Sequence, residues 1–264
     1  MVHLKTTEEI QCIRESAKIL GHAHGEVARM LKPGVKTRDL DRRAEEVIRD
    51  RGGIPSFLNY NGFPASLCIS VNDVVVHGIP GDYVVKDGDV VSIDCGVLYK
   101  GFHSDAAYTY PTEGVTAGTL DLLERTYKSL FLGIEQARPG NRIGDVSYAI
   151  QSYVESFGYG VVRELVGHGV GKSLHEDPEV PNYGQRGKGP KLTAGMVIAI
   201  EPMINLGTKN VVQEKDGWTI RTADRKPSAH FEHTVVILED RTEILTTHEE
   251  LEKNYSYQWR NRSR

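Results

Sequence analysis

Apolar residues recur every three or four positions along four stretches of the chain, the spacing typical of amphipathic helices. The predicted helices are 8–31, 37 up to the glycine pair 52–53, 117–137, and 143 up to Gly158. Thr6 and Glu9 precede the first helix at the spacing of a capping box, and Phe157 is assigned to the buried face of the fourth. Five apolar runs are predicted strands, at 66–76, 90–98, 106–110, 197–204 and 234–238. Helices and strands therefore succeed one another along the whole chain.

One pattern of residues occurs twice, just over a hundred positions apart. Lys32-Pro33-Gly34 recurs as Arg138-Pro139-Gly140, an offset of 106 (139 − 33). The run from Gly88 to Asp94 recurs from Gly195 to Glu201, an offset of 107 (201 − 94). A chance similarity does not normally keep its phase across two elements so far apart. We therefore predict two pseudo-symmetric halves, each a pair of helices with strands.

The repeat also defines the expected domain organisation. Residues 1–252 are predicted to form a single domain, with pseudo-repeats at about 6–113 and 114–252, and 253–264 to form a polar tail. The halves differ in the distance between their acidic residues. Asp105 follows Asp94 after 11 positions (105 − 94), whereas Glu232 follows Glu201 after 31 (232 − 201). The second half therefore carries about twenty inserted residues, which include Trp218.

The composition excludes several classes of protein. A chain of 264 residues with 39% hydrophobic and 26% charged residues is neither disordered nor collagen-like, and its net charge of −4 argues against a dedicated nucleic-acid binder. No apolar run approaches the ~20 residues of a membrane-spanning helix, and the first residues lack the pattern of a secretory signal. Cys12, Cys68 and Cys95 are too few and too scattered for a disulfide framework or a four-cysteine zinc site. We expect a cytoplasmic protein without membrane association.

An acidic residue stands at the end of an apolar strand in each half, Asp94 in the first and Glu201 in the second. A buried carboxylate needs a partner, and two that converge on a two-fold axis repel each other unless cations lie between them. Asp105, Glu232 and the imidazole of His168 complete a set of four carboxylates and one nitrogen. Each acid alone is more often a cap or a salt-bridge partner. The symmetric set instead predicts two hard or borderline divalent ions, roughly 3.5–4 Å apart.

Six short motifs together resemble those of the type I methionine aminopeptidases. They are Val76-His77-Gly78-Ile79-Pro80, Asp94 with Asp105, Gly167-His168-Gly169-Val170-Gly171, His175-Glu176-Asp177-Pro178, Ile200-Glu201-Pro202-Met203 and Phe231-Glu232-His233-Thr234. The similarity runs from about Thr6 to Leu251, nearly the whole chain. It implies the pita-bread fold, an α/β (α+β) architecture of two pseudo-symmetric halves with a curved antiparallel sheet inside and helices outside. This agrees with the internal repeat, which was found independently.

The resemblance further implies a metalloexopeptidase that removes the N-terminal methionine from nascent proteins and peptides, preferably when the second residue is small and uncharged. It makes Asp94, Asp105, His168, Glu201 and Glu232 the ligands of two divalent ions. Asp94 is implied to bind one ion, Asp105 and Glu232 to bridge both, and His168 and Glu201 to bind the other. Co, Mn, Fe and Zn all accept this ligand set, so the physiological metal stays open.

The family mechanism assigns roles to further residues. A hydroxide that bridges the ions attacks the first carbonyl of the peptide, with Glu201 as the proton shuttle, while His175 and the ions stabilise the oxyanion. His77 is implied to lie near the scissile amide, and neither His77 nor His175 binds metal. The methionine pocket corresponds to four mainly aromatic positions: Tyr60, Phe63, Cys68 and Trp218. Phe57 and Leu174 stand where many members have Cys and Phe, which changes the expected shape of the pocket and not the reaction.

Two other functions share some of these features. X-Pro aminopeptidases and prolidases have the same fold and ligands, but normally carry a further N-terminal domain, and only 93 residues precede Asp94 here. Type II methionine aminopeptidases carry a long insertion between His175 and Glu201, which are only 26 positions apart (201 − 175). A metal-free relative acting as a binding or RNA-associated protein would have lost ligands, whereas all five are present. As partners we expect N-terminal methionine of nascent polypeptides and a transient contact with the ribosome, and we expect a monomer.

Overall fold

The computed structural model describes residues 2–255. Five α-helices lie in this part of the chain, besides a 3-10 turn at Tyr60–Gly62: α1 Thr7–Met30, α2 Thr37–Asp50, α3 Ala117–Gln136, α4 Ile143–Glu155 and α5 Glu249–Asn254. The fifth was not predicted, and it takes up the first two positions of the predicted tail, 253–264. The next tail position, Tyr255, is buried in the core, and positions 256–264 lie outside the described residues. None of the helices within 2–255 combines the length and the apolar character needed to cross a bilayer.

Fifteen strands lie in the described chain, and every ladder between them is antiparallel. In the first half they are β1 Ile54–Pro55, β2 Leu67–Val71, β3 Val74–Val76, β4 Val90–Tyr99 and β5 Phe102–Pro111. In the second they are β6 Gly160–Val161, β7 Gly167–Gly169, β8 Glu176–Val180, β9 Val197–Ile200, β10 Met203–Asn205, β11 Val211–Gln213, β12 Ile220–Thr222, β13 Ser228–His230, β14 His233–Ile237 and β15 Thr242–Ile244. The sheet orders are β1-β4-β2 with β5 beside β4, β13-β10-β6, β11-β12-β3, and β15-β14-β9-β7-β8.

The four predicted helices all form, with ends close to the predicted positions. At the start of α1, Thr6 Oγ1 accepts a hydrogen bond from the Glu9 backbone N–H at 3.3 Å, and the Glu9 carboxylate accepts one from the Thr6 N–H at 3.1 Å. This is the predicted capping box. Phe157 is a correction, because it follows α4 and its side chain is 42% exposed rather than buried. Its ring lies 4.1 Å from the Arg125 guanidinium, so a cation–π contact replaces core packing.

Backbone geometry repeats between the two halves. An isolated bridge joins Lys36 to Val84 in the first half, and another joins Arg142 to Lys191 in the second. These pairs are related by the same offsets of 106 and 107 found in the sequence (142 − 36; 191 − 84). The glycines that follow the first helix of each half adopt nearly the same positive φ, 96° at Gly34 and 94° at 140. The prediction of two pseudo-symmetric halves is therefore confirmed.

Two of the predicted strands are interrupted, and both interruptions shape the centre of the molecule. The run 66–76 divides at Asn72, whose left-handed backbone (φ 57°) turns the chain from β2 into β3. The run 197–204 divides between β9 and β10 at Glu201-Pro202, because proline has no N–H to continue a ladder. The backbone of Glu201 is thereby freed from the sheet next to the centre of the molecule.

Helices cover the outside of the sheets in each half. In the first half α1 lies across β4 and β5, and Ser16 of α1 donates a hydrogen bond to the Val97 carbonyl at 2.7 Å. In the second half α3 packs against α4, with Leu130 and Ile150 fully buried. The inner faces of the sheets are left to form the site described next.

Candidate metal centre and active site

The β4–β5 hairpin brings two acids of the first half to one face of the sheet. In its register Asp94 lies opposite Ala107, and Gly96 lies opposite Asp105. Side chains two positions apart on a strand share a face, so Asp94 and Asp105 are diagonal neighbours across the ladder. Gly96 between them leaves room for an aromatic ring, since a Cβ there would lie 2.8 Å from Cε1 of Phe57.

The acids of the second half stand where strands end. Glu201 directly follows β9. Glu232 lies with Phe231 in the two-residue junction between β13 and β14. The Glu232 backbone N–H donates to the Ala107 carbonyl at 3.0 Å, which ties this junction directly to β5 of the first half. His168 is the middle residue of β7, and its Nδ1–H donates to the Gly169 carbonyl at 2.9 Å, so its Nε2 is free to face the acids.

The five predicted metal ligands converge. The His168 Nε2 lies 3.6 Å from Glu201 Oε1 and 3.9 Å from Asp105 Oδ2. One donor atom each of Asp105, His168 and Glu232 lies within 4.8 Å of the other two. Three buried carboxylate oxygens, Asp94 Oδ1, Asp105 Oδ1 and Glu232 Oε1, have no hydrogen-bond partner within residues 2–255. Buried oxygens of this kind are costly to leave unpaired, and divalent cations would pair them, so the residues fit a metal centre.

Electrostatics point the same way. Burial, followed by repulsion from Glu232 and Asp94, raises the pKa of Asp105 well above its usual value. Burial and neighbouring acids also raise the pKa values of Glu201 and Glu232. The pKa of His168 is lowered to about 3, chiefly by burial, so its imidazole is neutral and can offer a lone pair. Four acids so close together cannot all be ionised unless positive charge is bound between them.

These residues line one cavity of about 460 Å³. The other predicted site residues that line it are Phe57, Tyr60, Phe63, His77, His175 and Trp218. Cys68 is the exception: it is not among the lining residues but packs behind them in a cluster with Phe57, Phe63 and Leu174. Leu174, expected to change the shape of the pocket, also lines the cavity. So do residues to which the sequence analysis gave no role in the site, namely Asn61, Val76, Leu165, Val166, Met203 and His230.

The apolar part of the cavity is built by aromatic contacts between the halves. Trp218, from the inserted segment of the second half, meets the Phe63 ring edge-to-face, with centroids 5.2 Å apart. The ring of Trp218 also lies 6.4 Å from that of His77. Edge-to-face packing is a favoured arrangement of two aromatic rings, so the two halves build this wall together.

The two histidines outside the ligand set are held differently. His77 follows β3 with a left-handed backbone (φ 58°), and burial lowers its pKa to about 4, so it is neutral near pH 7. A Cβ at the next residue, Gly78, would lie 2.2 Å from the Ile69 carbonyl oxygen, so only glycine fits there. His175 lies exposed at the cavity, and its Nδ1 is 2.8 Å from the Tyr60 hydroxyl. The Tyr60 bond orients the ring of His175, and no sequence pattern indicated it.

A buried ion pair supports the start of β8, directly after His175. Glu176, the next residue, pairs with Lys5 Nζ at 2.5 Å, and the side chain of Lys5 is only 4% exposed. Glu176 also accepts from the Ser173 N–H at 3.1 Å. Lys5 precedes the first helix, so its backbone, which donates to the Gly195 carbonyl at 2.7 Å, links the start of the chain to the second half. The sequence analysis missed this pair because its members are 171 positions apart.

Comparison with known proteins assigns the class to which this fold and site belong. The profile of metallopeptidase family M24 matches residues 11–239, and the chain belongs to that family. Methionine aminopeptidase of Clostridium perfringens is 54% identical over 246 residues, which cover 93% of this chain and 99% of that protein. A crystal structure of methionine aminopeptidase from Thermotoga maritima superposes with a TM-score of 0.92 at 43% identity, covering 94% of this chain and all of that one.

These relatives confirm the resemblance to the type I methionine aminopeptidases and the pita-bread architecture, and the chain is a hydrolase that removes N-terminal methionine. A prolidase from Pyrococcus furiosus shares the fold at a TM-score of 0.77 but is 25% identical, and this chain covers only 65% of it. The prolidase alternative is therefore the weaker one. The roles of individual site residues stay predictions.

Proposed function

We propose that this methionine aminopeptidase works with two divalent ions, Co, Mn, Fe or Zn, held by Asp94, Asp105, His168, Glu201 and Glu232. The four carboxylates and the His168 imidazole would together hold both ions. The observation that carries it is the set of three buried carboxylate oxygens without a partner in the described chain, beside a neutral imidazole. Two divalent ions placed between the four carboxylates would offset their negative charges, which otherwise repel one another in so small a volume.

The bound ions would supply an activated water and polarise the first carbonyl of the substrate. The substrate's free amino group would bind at the acidic centre, which explains why only an N-terminal residue is cleaved. Its methionine side chain would fill the apolar part of the cavity, against Phe63 and Trp218, which are buried and half-buried. Cys68 would act on this pocket only through the residues in front of it.

Proton transfer and charge stabilisation would fall to three side chains. Glu201, whose carboxylate lies in the acidic centre 3.6 Å from His168 Nε2, would take a proton from the activated water and pass it to the leaving amine. His175, oriented by Tyr60, would donate to the oxygen that becomes negative in the transition state. His77, held neutral by burial, would contact the scissile amide.

A preference for a small, uncharged second residue is part of the proposal. Beyond the five ligands, the ionisable side chains that line the cavity are Tyr60 and three histidines, with neither Lys nor Arg among the described lining residues. A charged second side chain would therefore find no partner of opposite charge there. A bulky one would meet the rim formed by His77 and His175.

The test is turnover of Met-Ala-, Met-Val-, Met-Lys- and Ala-Pro-peptides by metal-free protein titrated with Mn²⁺, Co²⁺, Fe²⁺ and Zn²⁺. We expect activity to rise up to two equivalents of ion, with Met-Ala cleaved fastest and Ala-Pro not at all. Full activity after one equivalent would contradict the dinuclear centre. Faster cleavage of Met-Lys than of Met-Ala would contradict the proposed specificity.

The cellular setting of the enzyme is also part of the proposal. The three cysteines are free, which suits a reducing cytoplasm where nascent chains begin with methionine. Transient association with the ribosome would bring the enzyme to that substrate, and we propose that it acts as a monomer with one catalytic domain over 1–252. Sedimentation of the purified protein, alone and with ribosomes, tests the last two points.

A further inference from the structure

His230 lines the cavity, yet neither the family resemblance nor the five-ligand set uses it. Its side chain is 2% exposed, and its Nε2 has no hydrogen-bond partner within residues 2–255. That nitrogen lies 3.7 Å from Glu201 Oε2. A buried imidazole nitrogen without a partner is uncommon, because it loses its bond to water and gains nothing in return. The atom therefore needs a partner that residues 2–255 do not provide.

The pseudo-two-fold symmetry relates His230 to His103 of the first half. His230 stands two residues before Glu232, as His103 stands two residues before Asp105. His103 is half-buried, its Nδ1 lies 2.8 Å from the Ser56 hydroxyl, and it is not among the residues that line the cavity. The first-half histidine is thus satisfied by protein atoms. Its second-half counterpart presents a nitrogen to the acidic centre instead.

The environment of Glu201 shows where that nitrogen is directed. One carboxylate oxygen of Glu201 faces His168 Nε2 at 3.6 Å, and the other faces His230 Nε2 at 3.7 Å. Two donors that share one ion at about 2.1 Å each are roughly 3.0–3.5 Å apart. Both imidazoles are therefore placed almost as near to Glu201 as ligands of a common ion would be.

We propose that His230 is a sixth protein ligand of the metal centre, giving the ion at Glu201 a second imidazole nitrogen besides that of His168. The proposal rests on the dinuclear centre of the proposed function. It has a chemical consequence, since imidazole favours Co, Fe and Zn, whereas a carboxylate set favours Mn. A second nitrogen shifts the preference of that ion position away from Mn²⁺.

The first experiment is calorimetric titration of metal-free protein with Co²⁺ and with Mn²⁺. In His230→Gln we expect the affinity for one of two Co²⁺ equivalents to fall by at least about tenfold, the lower end of losses seen when metal-site residues are changed. The affinity for Mn²⁺ should fall less. His103→Gln is the matched control, with the same substitution at the symmetry-related position, and should bind both ions as the native protein does. Equal losses in the two variants would overturn the proposal.

A second measurement does not depend on a variant. Imidazole N–H protons of Co²⁺-bound histidines give hyperfine-shifted, solvent-exchangeable resonances in proton NMR. The native protein loaded with Co²⁺ should show two such resonances, from His168 and His230, and His230→Gln should show one. A single resonance in the native protein would overturn the proposal while leaving the dinuclear centre intact. Failure of the native protein to bind any divalent ion would instead refute the proposed function itself.

Discussion

The two halves of the molecule contribute to the site in different ways. In the first half Asp94 and Asp105 lie on one tight hairpin, 11 residues apart, with positions set by the β4–β5 ladder. In the second half Glu201 and Glu232 are 31 residues apart, and the segment between them includes β11, β12 and Trp218. The shared elements thus carry the acidic centre. The segment that only the second half possesses adds Trp218 to the aromatic wall, against Phe63 of the first half. The repeated elements therefore supply the proposed metal ligands, and the unrepeated segment supplies part of the proposed methionine pocket.

The strongest test of this comparison changes one acid in each half, Asp105→Asn and Glu232→Gln. Each variant should lose turnover almost completely, because a neutral amide cannot bridge two cations. Each should stay folded without metal, since removing a buried like charge relieves repulsion. Peptide turnover with added metal and circular dichroism check this. If one variant kept substantial activity, the halves would not contribute equally to a dinuclear centre.

A large but incomplete loss is expected for His175→Ala, which removes a group supplied by the second half alone. We expect kcat to fall by roughly 10²–10³, the usual effect of losing one oxyanion donor. Metal content, measured by atomic emission, should not change. Loss of a metal equivalent would show that His175 belongs to the ligand set. Tyr60→Phe, which removes only the bond to Nδ1, should give a smaller fall in kcat.

The aromatic wall is tested by Trp218→Leu. It should improve cleavage after leucine and norleucine relative to methionine by about 1–3 kcal/mol in kcat/KM, since apolar pockets discriminate by methylene-sized differences. Cys68→Ala should shift the ratio less, because Cys68 lies behind the wall. The measurement is kcat/KM for three peptides that share a second residue, at full metal loading. Unchanged ratios in both variants would remove Trp218 of the inserted segment and Cys68 of β2 from substrate selection.

The link between the halves is tested at Lys5, whose Nζ pairs with Glu176 beside His175. In Lys5→Met we expect kcat to fall about tenfold, with little change in KM. This fall is smaller than the ~10²-fold loss that follows when a catalytic group is misplaced by a full 1 Å. Lys5→Arg should restore most of it, since the charge is kept. A lower Tm in Lys5→Met with kcat unchanged would make the pair a matter of stability alone.

The smallest effect concerns pH and the outer helices. His24 of α1 is buried, its Nε2–H donates to the Ala106 carbonyl at 2.9 Å, and burial lowers its pKa to about 4. The unfolded value is about 6.5, so the unfolded chain binds more protons as pH falls. The contribution of His24 to the free energy of unfolding is therefore fully present above about pH 6.5 and is lost as the pH falls toward 4.

The repeat supplies the matched variant for that prediction. Leu130 of α3 is related to His24 by the offset of 106 (130 − 24) and is fully buried. His24→Leu should therefore reduce the fall in stability between pH 6.5 and 4 by at most about 1.4 kcal/mol per pH unit. Urea unfolding at several pH values measures it. An unchanged slope would show that His24 does not titrate in this range.

Much of the fold follows from local information. The four long helices form where the apolar spacing predicted them, because each buries one stripe, and the capping box at Thr6 and Glu9 involves only neighbours in the chain. The short helix α5 and the exposed position of Phe157 were not predicted. Both depend on distant partners, such as the Arg125 guanidinium over the Phe157 ring, and periodicity carries no information about such partners.

The sequence alone identified the repeat, the four acids with His168, and the family, because these are patterns of residue type and spacing. Tertiary structure decided which side chains face the cavity. It set Cys68 behind the wall, bonded Tyr60 to His175, and left the nitrogen of His230 facing Glu201. His103 and His230 have the same place in the repeat, yet only one meets a hydroxyl of its own half. The reason is physical: the partner of a buried polar atom is fixed by packing between elements far apart in the chain, which spacing along one strand does not encode.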